Sequence, residues 1–431
     1  MERNYVEEVF KKQAGEKVCL KGWVYDARDL KKVRFIVLRD ITGRVQVTGV
    51  QSETPAEAFE GLNGISRESA VEVIGTIKDC KQAPGGKEIA PEQITILAMA
   101  ANPVPIDVSD YSKTELPIRL DWRFLDLHRE KTQAIFKVQS TLMTAFREYM
   151  IQKQNALEAA FPSLIGASSE GGTDVFKVKY FEKEAFLSQS CQLYKQMLAC
   201  SMEKVFTIFT VWRAEKHNTV RHLNECRQMD FEMAFADDKT VMAIMGECTQ
   251  YIVQKIIDTN AKELKTLGVE LKVPAVKYMT FAEVTELMKK EGVHMGKDDL
   301  TGEAEEKLGE LYPDTIVFVH DWPLSGKPFY IMPMGENPHA ELANGFDAIY
   351  KGMEITSGGQ RIHLPDLLIE RLKIKGLNPD QFKDYIDSFR YGAPPHAGWG
   401  MGVERLTMLI LGIKNIREAV LFPRDRDRLT P

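Results

Sequence analysis

The spacing of apolar residues changes where the chain passes from Asn102 to Pro117. Before this segment they come in short, β-branched runs. These are Lys17-Val18-Cys19-Leu20 leading into Gly22-Trp23-Val24, then Val33 to Leu38, Val45-Gln46-Val47, Val71 to Ile74 and Ile94 to Leu97. Turn signals such as Asp40-Ile41-Thr42-Gly43 and Ala83 to Gly86 separate them. Short strands at close spacing predict a small barrel or sandwich. Beyond the segment, Ile135, Val138, Leu142, Met143, Phe146 and Met150 recur at helical spacing, which predicts a long amphipathic helix over about 130–154. The Pro-containing, non-periodic stretch between the two patterns reads as a linker.

Further along, Phe186-Leu187, Val205 to Val211, Met229 to Phe235, Thr315 to His320, Phe329 to Pro333 and Ala348 to Ile355 read as strands. Residues from about Lys239 to Glu310 read as helical, and Leu406 to Leu411 lies on a closing helix. Strands and helices segregate in blocks, so the second domain is expected to be α+β with a mostly antiparallel sheet.

With 44% hydrophobic and 27% charged residues among 431, composition is that of a globular protein and excludes disordered and disulfide-scaffold classes. Net charge is −6, too acidic for a protein coated in nucleic acid. Between Lys17 and Gln46, however, eight cations face three carboxylates. Such a stretch is either a solvated face or a basic groove beside an exposed aromatic, as small barrels use for single-stranded nucleic acid. No apolar run is long enough for a membrane span, and the charged start MERNYVEEVFKK does not resemble a signal peptide. The six cysteines form no CxxC pair, so reduced thiols in a cytoplasmic protein are expected.

Three clusters carry chemistry. In the first, Trp212-Arg213-Ala214-Glu215 runs into a His/Arg-rich loop and returns through Asn224-Glu225 to Asp230. Guanidinium groups fork onto phosphate oxygens while carboxylates take amines or metal; a surface hairpin with ordinary ion pairs is the other reading. The second is Asp347 and Glu354, followed by Ser357-Gly358-Gly359-Gln360-Arg361. By period-two counting the two carboxylates do not share a strand face, so a turn or bulge is needed to bring them to one cation. The third, Gly398-Trp399-Gly400-Met401-Gly402-Val403-Glu404-Arg405, fits neither standard phosphate-loop motif. Its glycines would let a flat base lie on the backbone, with Arg405 on the first helical turn meeting a triphosphate.

In this order the clusters resemble the three signature motifs of the class II aminoacyl-tRNA synthetases. Ser169-Glu170-Gly171-Gly172, Gln192-Leu193-Tyr194-Lys195-Gln196, EITSGGQR from Glu354, GAPPHAGWGMGVERL from Gly392 and the terminal FPRDRDRLTP resemble the archaeal/eukaryotic-type aspartyl-tRNA synthetases. The resemblance implies an OB-fold anticodon-binding domain over 1–103, a hinge over 104–124, and a catalytic domain over 125–431 with a helical insertion at about 262–312. It implies ATP, L-aspartate and tRNA(Asp) as substrates, Mg2+ with the ATP, a homodimer and no membrane.

Residue by residue, Arg213 and Glu215 resemble the pair that grips the α-phosphate and the adenine amine. His222 reaches the outer phosphates, Leu223 belongs to the ATP site, and Arg405 meets the γ-phosphate. Asp347, Glu354 and Ser357 match the magnesium–ATP ligands. Lys195 and Arg361 resemble the holders of the aspartate side chain, with Asp230, Gln192 and Ser357 beside the amino acid and Glu170 in the loop that closes over it. Phe35 and Gln46 match residues that stack on and read the central anticodon base; Glu88 and Pro84 are further anticodon candidates.

The chain departs from the family pattern at Ala156, Ala159, Ala160 and Phe161 before Pro162 in motif 1, at Cys191 in place of a proline, and at Cys226 where a phenylalanine stacks on adenine. Lys195 favours a substrate carboxylate over an amide. Tyr25 and Pro84 bear on whether tRNA(Asn) is charged too, and Pro84 resembles the relaxed forms. The alternative from another class is a non-catalytic paralogue that only binds tRNA.

Overall fold

The computed structural model describes all residues except 110, 167–174 and 217–218. The chain divides into two compact units, Met1–Trp122 and Arg123–Pro431.

In the first unit, strands β1 (Lys17–Asp29), β2 (Val33–Arg39), β3 (Arg44–Val50), β4 (Ala70–Asp79) and β5 (Lys87–Ala98) close a barrel in the order β1-β2-β3-β5-β4. Period-two alternation places Val18, Leu20, Ile36, Leu38, Val45, Val47, Val71 and Val73 inside. A barrel rather than a sandwich results because β5 pairs in parallel with β3 and antiparallel with β4, which leaves no free edge.

In the second unit, strands β6 (Leu157–Glu158), β7 (Leu164–Ile165), β8 (Lys177–Tyr180), β9 (Lys183–Leu187), β10 (Lys204–Trp212), β11 (Glu225–Ala234), β12 (Ala275–Thr280), β13 (Thr315–Pro323), β14 (Leu342–Tyr350), β15 (Met353–Arg361) and β16 (His396–Gly402) form two sheets. The larger has the order β12-β13-β14-β15-β16-β11-β10-β6. Only its two outermost pairs, β12–β13 and β10–β6, are parallel. The small sheet is β7-β9-β8.

One face of the large sheet is sealed by the helices Glu130–Gln152, Asp238–Thr259 and Val403–Leu411. Met229, Phe231, Phe346, Ala348, Trp399 and Met401 point into that core together with Val138, Leu142 and Phe146 of the first helix. Alternation then forces Asp230, Glu232, Asp347, Gly398 and Gly400 onto the opposite face. That face carries the candidate site.

Three sequence expectations are corrected. The stretch read as purely helical contains β12, whose Val276 and Tyr278 pair with the edge of the sheet. Phe329 to Pro333 is not a strand but two isolated bridges, Ile331 to Arg361 and Pro333 to Ala343. The single strand expected over Ala348 to Ile355 is the β14–β15 hairpin, broken at Lys351 and Gly352, both at positive φ.

Candidate active site

A cavity of about 320 Å³ lies on the open face of the large sheet. Arg213, Glu215, His222, Leu223, Glu354 and Arg405 line it, and so do Gln192, Asp230, Ser357 and Arg361.

The loop between β10 and β11 delivers the first residues. Asn224 folds back to donate through Nδ2 to the carbonyls of Arg213 (2.7 Å) and Glu215 (3.0 Å), so one buried amide sets the loop's base. His222 Nε2 lies 4.0 Å from Glu215 Oε2. Leu223 is buried, in a small apolar cluster with Met353, Met408 and Ile416. Arg405, in the first turn of the helix Val403–Leu411, donates to the Glu354 carbonyl at 2.8 Å. Arg213, Arg405 and Cys226 line the same cavity, and both arginines act electrostatically on the Cys226 thiol. Burial, with Glu404 beside it, pushes that thiol up to about 12.

A bulge decides where Glu354 points. Asp347 is opposite Ser357 and Ala348 opposite Thr356, but Ile349 is opposite Glu354, leaving Ile355 as the extra residue. Without the bulge Glu354 would oppose Tyr350 on the apolar face; with it, Glu354 joins Asp347 and Ser357 on the cavity side. Burial and the nearby Asp347 charge push the Glu354 carboxyl up to about 7. Asp347 is buried and takes a hydrogen bond from Lys327 Nζ at 2.5 Å. Two carboxylates and a hydroxyl on one side of the hairpin, with Glu354 and Ser357 lining the cavity, suit a hard divalent cation. Among the described residues no group of three or more His, Cys, Asp or Glu is placed to hold a metal by itself. The set therefore fits magnesium, which keeps most of its ligands as water and substrate phosphate.

The other group is a buried charge quartet. Lys195 Nζ donates to Asp230 Oδ1 (2.8 Å) and the Trp399 carbonyl (2.9 Å) and lies 3.4 Å from Glu232 Oε2. Arg361 Nε and Nη2 donate to the two oxygens of Glu232 at 2.8 and 3.3 Å. Burial opposes the charges of Lys195, Glu232 and Arg361, and their neighbours win, holding Glu232 below and Lys195 and Arg361 above their ordinary ranges. Gln192 and Lys195, three apart on the helix Gln192–Met202, share a face toward it. Two buried atoms here have no partner among the described residues: Asp230 Oδ2 and Gln192 Nε2. A donor and an acceptor left unpaired at a cavity wall are costly unless a ligand completes them.

The glycines of β16 serve this quartet. Gly398 pairs with Glu232 and Gly400 with Asp230. A Cβ at 398 would overlap the Glu232 carboxylate, and one at 400 would lie 3.0 Å from Asp230 Oδ1. The cluster read from sequence as a bed for a base is a strand whose first two glycines admit carboxylates, while Gly400 and Gly402 line the cavity.

On the barrel, Gln46 and Glu88 are directly opposite across the parallel β3–β5 pair, and Gln46 Nε2 donates to Glu88 Oε2 at 2.9 Å. Thr48 Oγ1 donates to the same oxygen at 2.5 Å and stands opposite Phe35. Arg44 lies 4.4 Å over the ring of Tyr25. Pro84 is exposed in the turn between β4 and β5.

A family model described as tRNA synthetases class II (D, K and N) matches residues 115–426, and one described as OB-fold nucleic acid binding domain matches 18–97. The chain belongs to the class II tRNA synthetases. Proteins named aspartate–tRNA(Asp/Asn) ligase are similar to this synthetase throughout. That of Methanosarcina barkeri is 44% identical over 97% of this chain and 95% of its own length, and that of Methanocaldococcus jannaschii 43% identical over 99% and 98%. Among solved structures, asparaginyl-tRNA synthetase from Pyrococcus horikoshii with asparaginyl-adenylate has a TM-score of 0.93 at 34% identity, covering all of both chains. Aspartyl-tRNA synthetase from Entamoeba histolytica has a TM-score of 0.89 at 32% identity, over 100% of this chain and 93% of that one.

Not every expected residue of this class II synthetase lines the cavity. Lys195 and Asp347 stand behind its wall, acting through Asp230 and beside Ser357. Glu170 and its neighbours Ser169 to Gly172 lie outside the described residues. Sequence reading missed Glu232, Lys327 and Thr48. For Glu232 and Thr48 a signal existed: each lies two residues beyond a chosen strand residue and so shares its face. Lys327 had none.

Proposed function

We infer that this synthetase activates L-aspartate with ATP and passes it to tRNA. Charge balance around the buried quartet carries the inference. If Asp230, with its unpartnered Oδ2, takes the substrate ammonium, Lys195 and Arg361 are left facing Glu232 alone, one negative charge short. An aspartate side chain supplies that charge and an asparagine amide does not.

The α-carboxylate of aspartate then attacks the α-phosphorus of ATP. A new P–O bond forms, the bond to pyrophosphate breaks, and the electron pair leaves with pyrophosphate. Arg213 offsets charge on the α-phosphoryl oxygens; His222 and Arg405 offset it on the leaving group. The protein's work is positioning and charge compensation. Asp347, Glu354 and Ser357 would hold Mg2+, which supplies further charge neutralisation at the phosphates. The terminal 3′-hydroxyl of tRNA attacks the aspartyl-adenylate carbonyl and AMP departs.

Aspartate-dependent exchange of pyrophosphate into ATP tests this. Asparagine is expected to support it less by on the order of 10⁴-fold, since a buried charge would be left unpaired. Equal exchange with both amino acids, or none with aspartate, refutes the inference. No finding favours the non-catalytic, tRNA-binding alternative.

The barrel supports anticodon reading by Phe35, Gln46 and Glu88. Use of tRNA(Asn) as well as tRNA(Asp) is supported by Pro84 and by the relatives named for both. A homodimer is supported by the exposed apolar residue Leu157 on the two-residue edge strand β6, with Ile151 exposed at the end of the helix Glu130–Gln152 packed on it. No helix among the described residues is long and apolar enough to cross a membrane, and we place the enzyme in the cytoplasm.

A further inference from the structure

The terminal segment FPRDRDRLTP contributes no side chain to the cavity, yet it holds the loop that does. We propose that Arg417, braced by Asp425, is a positioning residue for the nucleotide loop 213–224. This rests on the ATP-site reading above.

Arg417 stands in the short turn Ile416–Ala419 after the helix Val403–Leu411 and is 9% exposed. Its Nε donates to Asp425 Oδ2 and its Nη1 to the Thr219 carbonyl at 2.9 Å. Thr219 passes the constraint on. Its hydroxyl is 2.6 Å from His222 Nδ1 and accepts from the Arg221 N–H at 3.2 Å. A continuous polar chain, Asp425–Arg417–Thr219–His222, therefore runs from the terminal segment to the cavity wall.

Three further ties run alongside. The Ile416 N–H donates to Val220 O (2.9 Å), the Asn224 N–H to Arg424 O (2.9 Å), and Arg426 Nη1 to Lys216 O (3.0 Å). The clasp is anchored at both ends. Asp425 Oδ1 accepts from the N–H groups of Asp427 and Arg428, each at 2.9 Å. Buried Arg123 donates to the carbonyls of Glu418, Val420 and Leu421 at the other end. Only Leu223 and Asn224 are buried among the described residues of the loop. It has little apolar packing of its own, so its shape depends on what holds it from behind.

The test is steady-state pyrophosphate exchange on the full chain, with active-site titration and thermal melting. Arg417→Met is expected to raise KM for ATP about tenfold, with KM for aspartate within about twofold of the unmodified chain, because a misplaced phosphate-facing group costs nucleotide interactions first. Arg417→Lys, which keeps the charge but not the fork, should recover part of the loss. Arg426→Ala, at an exposed position, should raise KM for ATP about two- to threefold without shifting the melting temperature, and it decides the matter if Arg417→Met does not fold. Unchanged KM for ATP in the folded variants, a fall in active fraction alone, or equal rises in both KM values would overturn the proposal. Absence of exchange in the unmodified chain sinks the nucleotide-site reading itself, a distinct result.

Discussion

Glu354 faces the cavity because Ile355 is squeezed out of register with β14, and Cys226 lines the same cavity. A change of one residue in strand register inverts every side chain beyond it, so the Asp347–Glu354 pair could be anticipated only as a need for a bulge. Cys226 was legible as a departure, but its environment was not. With its thiol pushed up to about 12 by burial, the thiolate fraction at pH 8 is on the order of 10⁻⁴. Iodoacetamide at pH 8 should leave Cys226 unmodified in the folded protein, with a rate that rises roughly tenfold per pH unit below about 12. Peptide mapping measures this, and prompt alkylation of Cys226 would show that its thiol is not held protonated by its surroundings.

Single strands and helices were read from spacing where packing follows propensity. The helix Glu130–Gln152 and strands β10 and β11 show the periods expected of them because one face of each meets the core. β12 was missed because six residues flanked by helices give little periodic signal, and pairing with β13 decides their state. The barrel strands carry a prediction at this scale. Gln46→Ala removes one of the two groups that join β3 to Glu88 on β5, on a unit that holds none of the cavity residues. Pyrophosphate exchange should stay within about twofold of the unmodified chain, while tRNA(Asp) charging falls about tenfold or more, the loss of one good base contact being about 1–3 kcal/mol. Equal losses in both assays would separate the barrel from anticodon reading.

For the whole molecule, two properties extend beyond one unit or one chain. If both tRNAs are substrates, purified tRNA(Asn) should be aspartylated within about tenfold of the tRNA(Asp) rate, since one relaxed contact is worth about 1–3 kcal/mol. Charging of tRNA(Asp) alone would exclude the relaxed reading. If β6 and its exposed apolar neighbours form a subunit interface, Leu157→Asp should weaken the dimer by about 2–3 kcal/mol or more, because it buries an unpaired charge. Sedimentation at micromolar concentration reports the shift toward monomer; a monomeric unmodified chain would remove the dimer from consideration.

Residue type and order along the chain were enough to establish the family, the two-domain plan and most of the residues around the cavity. Motif residues such as Arg213, Arg361 and Arg405 are tied to their neighbours in sequence, and the strand ends and helix start they sit on bring them to one cavity. Tertiary structure alone decided that Glu232 sits between Lys195 and Arg361, that Lys327 pairs with Asp347, that the β16 glycines make room for carboxylates, and that the terminal segment is hydrogen-bonded to Lys216 and Asn224. The reason is physical. A buried charge is tolerated only beside a specific opposite charge, and that partner comes from whichever distant segment the fold brings within hydrogen-bond reach.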